Sequence, residues 1–159
     1  MIQRLPLFAH IWLLARVYPF SSVWLGDLLY SELTGRPFEP LHMLPLKLFC
    51  VATIAFPFLV LSGSARILLR NPTRENKAGL ITAAVVLVIA FASLQGAILH
   101  AHVTRPEQEL LWSAALVYSP VYMLLLIPAG IFAGRRISQS RLPGIEPNET
   151  LLDAVSDQE

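Results

Sequence analysis

Ala78–Leu99 reads AGLITAAVVLVIAFASLQGAIL and holds no charged side chain. At about 1.5 Å of rise per helical residue, ~20 such residues cross the ~30 Å hydrocarbon core of a bilayer. Working outward, Leu48–Ala65 and Leu110–Gly134 are also free of charge, and Leu5–Gly26 carries only Arg16. The chain is 159 residues long, 55% hydrophobic and 14% charged. Soluble domains carry roughly 25% charged residues, so this composition points to a membrane protein. The net charge of +1 makes no electrostatic case for nucleic acid, and the single cysteine, Cys50, forbids an internal disulfide or paired-thiol chemistry.

Charge placement orders the spans. With the N-terminus in the cytoplasm, that side holds Arg4, Arg66, Arg70, Arg74, Lys77, Arg135, Arg136 and Arg141. The far side holds Arg36, Lys47 and Arg105. This is the positive-inside pattern, and it requires the first segment to cross as well. That segment is longer than the apolar part of a secretion signal and lacks a small-x-small cleavage site, so it reads as an anchor. The expected fold is all-α: a four-transmembrane-helix up-down bundle with both termini cytoplasmic. Its transmembrane domain covers 1–137, with spans at about 6–27, 45–65, 78–100 and 109–134. Residues 138–159 form an acidic, solvated cytoplasmic tail in which Leu151 and Leu152 are candidate docking residues.

Local signals refine the boundaries. Pro37, Pro40 and Gly35 argue for a loop over 28–44. Asn71 and Pro72 suit the N-cap and first position of the third helix. Thr104-Arg105-Pro106-Glu107 reads as a capping box for the fourth. The short connection makes spans 3 and 4 antiparallel neighbours. Trp24, Tyr30 and Trp112 fall at the outer interface, where aromatic belts sit.

Arg16 is the strongest pointer to function. A central intramembrane arginine costs roughly 2.5–3.5 kcal/mol on insertion scales. Asp27 lies ~16 Å further along the same helix, too far to pair with it. Pro57 and Pro120 each free a backbone carbonyl, those of Thr53 and Leu116. The expected polar pocket therefore gathers Arg16, Thr53, Tyr118, Ser119 and Tyr122. It would suit a quinone, another ligand or an anionic lipid, or serve as a purely structural carbonyl-and-hydroxyl network, whereas the simpler alternative has Arg16 snorkelling to the headgroups. A second candidate is an outer transition-metal site at His42, His100 and His102, helped by Glu39, Glu107 and Glu109. Imidazole is a good ligand for such metals, although an i, i+2 pair on one helix points to different faces. His10 has no histidine at its own depth for a bis-histidine haem.

Arg66, Arg70 and Arg74, at i+4 spacing, are candidate anionic-lipid contacts. Gly130-x-x-x-Gly134 and Ala92/Gly96 allow close helix approach, within the chain or between chains, and Ser93 and Gln95 suit interhelical hydrogen bonds. Ser62-Gly63-Ser64 lacks a nucleophile-elbow context. No phosphate loop, dinucleotide fingerprint or paired-cysteine zinc motif occurs, so no catalytic motif and no specific cofactor is expected. The functional expectation is an accessory or assembly subunit of a larger membrane complex in a bacterial inner membrane, held by the lipid bilayer and a membrane-protein partner or a second copy. The rivals are a quinone- or metal-linked redox component and a small transporter or channel subunit.

Overall fold

The computed structural model describes residues 5–41, 43–105 and 109–140. Arg4, His42, Glu107, Arg141 and the tail with Leu151 and Leu152 lie outside the described residues, as does the side chain of Trp112. The described chain is all-helical: α1 (Leu5–Thr34), α2 (Leu44–Leu68), α3 (Arg74–Thr104) and α4 (Glu109–Ser140).

Helix ends follow from local hydrogen bonding. The α1 helix runs seven residues past its expected end at 27, taking in the first part of the expected loop. Ser31 and Thr34 hydroxyls donate to the carbonyls of Leu28 and Tyr30. Gly35, at φ +66°, then reverses the chain, and the Arg36 amide donates to the Ser31 carbonyl. That is a Schellman ending, which a glycine at positive φ permits. The N-cap of α3 is Thr73, two residues beyond the expected Asn71; its hydroxyl accepts from the Asn76 amide. The Asn71 carbonyl is instead engaged by the Thr73 amide and the Asn76 side chain. Thr104 closes α3, its hydroxyl donating to the His100 carbonyl, and Pro106 and Glu107 of the expected capping box lie outside the described residues. The α4 helix continues to Ser140, past its expected end at 134.

Successive helices alternate in direction, and the corner order around the bundle is α1, α2, α4, α3. The α2 and α3 helices meet across the diagonal, while α1 and α4 make no direct packing contact among the described residues. At the centre the Phe58 ring lies 5.1 Å from Tyr18 and 5.7 Å from Phe91. Ile54, Leu61, Leu80 and Leu87 are fully buried around them.

The tightest contact is α3 on α4. A Cβ on Gly130 would stand 2.7 Å from the Ala83 Cα, and one on Gly134 would stand 2.6 Å from the Ala78 carbonyl oxygen. Gly79 faces Ile131 just as closely. The Gly130-x-x-x-Gly134 pair therefore serves packing within the chain. Ala92 and Gly96 face outward, with open space beside Gly96.

Leu44–Leu68, Arg74–Thr104 and Ala115–Ser140 are long and apolar enough to cross a membrane; α1 is not among them. His10, Arg16, Ser21, Ser22 and Asp27 interrupt its apolar run. Large apolar side chains stand exposed on every helix, including Leu13, Leu59, Ile89 and Leu125. A surface of this kind is matched to lipid, and the three apolar helices mark an integral membrane protein.

Gly130→Ala should lower bundle stability by roughly 1–3 kcal/mol through overpacking against Ala83. Gly96→Ala should be neutral or stabilise by up to about 1 kcal/mol, since its Cβ meets nothing and alanine favours helix. Unfolding midpoints of the two variants in mixed detergent micelles check the contrast.

Candidate functional site

The structure does not bring the expected intramembrane pocket together. Arg16 is exposed on the outer side of α1, its guanidinium 4.1 Å from the Trp12 ring centroid. Tyr118 and Tyr122 are 64% and 67% exposed on α4, which makes no packing contact with α1 among the described residues. Helical side chains lean toward their own N-termini, so Arg16 on α1 and Tyr122 on the oppositely directed α4 reach toward opposite ends of the bundle. Thr53 donates to the Phe49 carbonyl of its own helix at 2.9 Å. Ser119 is buried and donates to the Leu116 carbonyl at 2.7 Å. Pro120 leaves that carbonyl without its helical donor, and the neighbouring hydroxyl supplies one.

The two described outer histidines differ in surroundings. His100 is exposed, whereas His102 is half-buried, with Nδ1 2.8 Å from the Ile98 carbonyl oxygen and its ring edge-on to Tyr30 at 6.3 Å. Among the described residues no group of three or more His, Cys, Asp or Glu is placed to hold a metal, and His42 lies outside them.

A polar site that sequence reasoning missed sits at this same end. Lys47 is buried in the first turns of α2. Its Nζ donates to Asp27 Oδ2 at 2.6 Å and to the Glu39 and Pro40 carbonyls at 3.0 and 3.2 Å. All three ammonium protons thus find an oxygen, which is what makes burial of the charge tolerable. Beside this clasp is a cleft of about 270 Å³ lined by Asp27, Tyr30, Ser31, Arg36, Phe38 and Glu39. The Arg36 guanidinium lies 5.8 Å from the Tyr30 ring centroid at its edge. The available signal was an Asp at the end of one apolar run and a Lys at the start of the next.

The opposite end is basic. Arg66, Arg70 and Arg74 are exposed around the α2–α3 turn, as is Arg136 on α4. Asn76 ties this end together: its side-chain amide donates to the Leu68 and Asn71 carbonyls, and its Oδ1 accepts from Arg135 at 2.7 Å. An exposed arginine cluster here is suited chemically to phosphate-bearing headgroups.

Comparison with protein-family models, curated proteins and solved structures finds no match for this chain.

Lys47→Met should cost roughly 1–3 kcal/mol by leaving Asp27 and two carbonyls without their donor. Asp27→Asn should cost less, because Asp27 keeps partial contact with solvent and the ammonium keeps its two carbonyls. Thermal unfolding of both single variants and the double variant, which should lose less than the sum, tests the clasp.

Proposed function

We propose that the protein is a four-span membrane protein, with both termini cytoplasmic in a bacterial inner membrane, that works as an accessory or assembly subunit of a larger membrane complex. The fourth span is α1. It lies alongside the apolar helices, joined to α2 at one end by Lys47–Asp27 and to the middle of α3 by the Tyr18 hydroxyl on the Val88 carbonyl. The basic end, with Arg66, Arg70, Arg74, Lys77, Arg135 and Arg136, supports the cytoplasmic assignment.

The observation that carries the functional reading is where the polar groups point. The bundle centre is aromatic and aliphatic, with Tyr18, Ile54, Phe58, Leu87 and Phe91 filling it. Hydroxyls along the spans (Ser21, Ser22, Thr53, Ser64 and Ser119) are spent on carbonyls of their own helices. A conducting or transporting bundle sets polar side chains along an interior path, whereas here Arg16, Tyr118 and Tyr122 stand on outer faces. Chemistry displayed outward within a membrane is chemistry available to neighbouring chains.

Capture of the tagged protein in mild detergent, with an absorbance spectrum, metal assay and quinone extraction on the same sample, tests this. A stoichiometric membrane-protein partner without cofactor is expected. A homogeneous protein carrying quinone or metal that is lost in Arg16→Ala or His100→Ala overturns it in favour of a redox site.

A further inference from the structure

The α1 helix holds a corner of the bundle and turns half its surface outward. There Trp12, Leu13, Val17 and Phe20 are 43%, 54%, 53% and 52% exposed, with Arg16 exposed among them. Leu13, Arg16, Val17 and Phe20 follow i, i+3, i+4, i+7 spacing, by which one helix offers a seam to another. The guanidinium stacks on Trp12, and Arg16 has no hydrogen bond or ion pair among the described residues.

Depth narrows what can neutralise it. The Tyr18 hydroxyl meets the carbonyl of Val88, halfway along α3, so Arg16, two residues earlier on α1, lies near the bundle's middle. The side chain leans one turn toward the basic end, to the level of Trp12. From there to Lys77, near the start of α3, remain roughly 8 Å or more, which leaves a headgroup phosphate at that level out of reach. Trp12 covers one face of the guanidinium and supplies no counter-charge. Its nitrogen edge is the part that a carboxylate engages through paired hydrogen bonds.

A second copy of this chain cannot supply that carboxylate. Leu48–Ala65, Ala78–Leu99 and Leu110–Gly134 contain no Asp or Glu, and Asp27 sits near the outer end, held by Lys47. We infer that the Leu13–Phe20 seam docks a transmembrane helix of a different protein, one that carries an aspartate or glutamate at the level of Arg16. This rests on the accessory-subunit reading and names the face and the charge through which it would work.

The test places a photo-crosslinking amino acid at Leu13 or Val17 of the full chain, and in parallel at Tyr118 or Tyr122 on α4, in native membranes. Crosslinked peptides are then sequenced. From α1, the expected product is an apolar helix bearing an acidic residue within a turn of the crosslink. Arg16→Gln should cut that yield about tenfold or more, as should neutralising the partner's acid, and exchanging the two charges should restore it. Because among the described residues Arg16 only stacks on Trp12 of its own helix, Arg16→Gln should leave the unfolding midpoint nearly unchanged, which separates lost docking from misfolding. Crosslinks from α1 only to phospholipid, to a second copy or to a helix without an acid overturn the inference, as does a yield indifferent to Arg16→Gln. Protein crosslinks from α4 alone would overturn it while leaving the accessory-subunit reading in place. No protein crosslink from either face overturns both.

Discussion

The close approach of α3 and α4 through Gly79, Gly130 and Gly134 is the contact on which the bundle is built. Inside lipid, apolar side chains gain little by leaving the solvent, because the solvent is itself apolar. Helix association then depends on backbones coming near enough for dense van der Waals contact. Three positions without a Cβ let the Ala78 and Ala83 backbones lie directly against α4. Once that pair is formed, its groove receives α2, whose Phe58 stacks on Phe91. The α1 helix packs against α2 and α3 among the described residues.

Because α1 lacks glycine-mediated contact, polar bonds do more of its holding. Tyr18 reaches across to Val88 near the centre, and Asp27 meets Lys47 at one end. Both bonds gain from surroundings with little water to compete for the same groups. The Lys47 ammonium also gathers the Glu39 and Pro40 carbonyls, so one charge fixes the returning loop as well as the helix pair. The other end uses a neutral hub: Asn76 links the α2–α3 turn to Arg135 of α4. Each end of the bundle is therefore latched by one side chain of high hydrogen-bonding capacity.

Much of the architecture was legible because charge-free runs have one physical use. The three apolar helices and the antiparallel α3–α4 pairing follow from local pattern, whereas Gly130 and Gly134 marked a close approach without saying whether its partner lay in the same chain. The direction Arg16 faces was not legible in the same way. The buried positions on α1 are Ile11, Ala15, Pro19, Ser22 and Ser31, while the opposite side carries Trp12, Leu13, Val17 and Phe20. With large apolar residues on the lipid face and small or polar ones inside, hydrophobic periodicity cannot mark the core face of a membrane helix. The Lys47–Asp27 bond was hidden because the pair is twenty residues apart and depends on how the loop through Pro37 and Pro40 returns.

The clasp has a practical side. The chain has two lysines, Lys47 and Lys77. One is sealed by three oxygens, while the other lies partly open at the opposite end of the bundle. An amine-directed reagent that cannot cross lipid thus meets one responsive lysine in the folded protein. The molecule carries its own sidedness marker, without an engineered tag or an added residue.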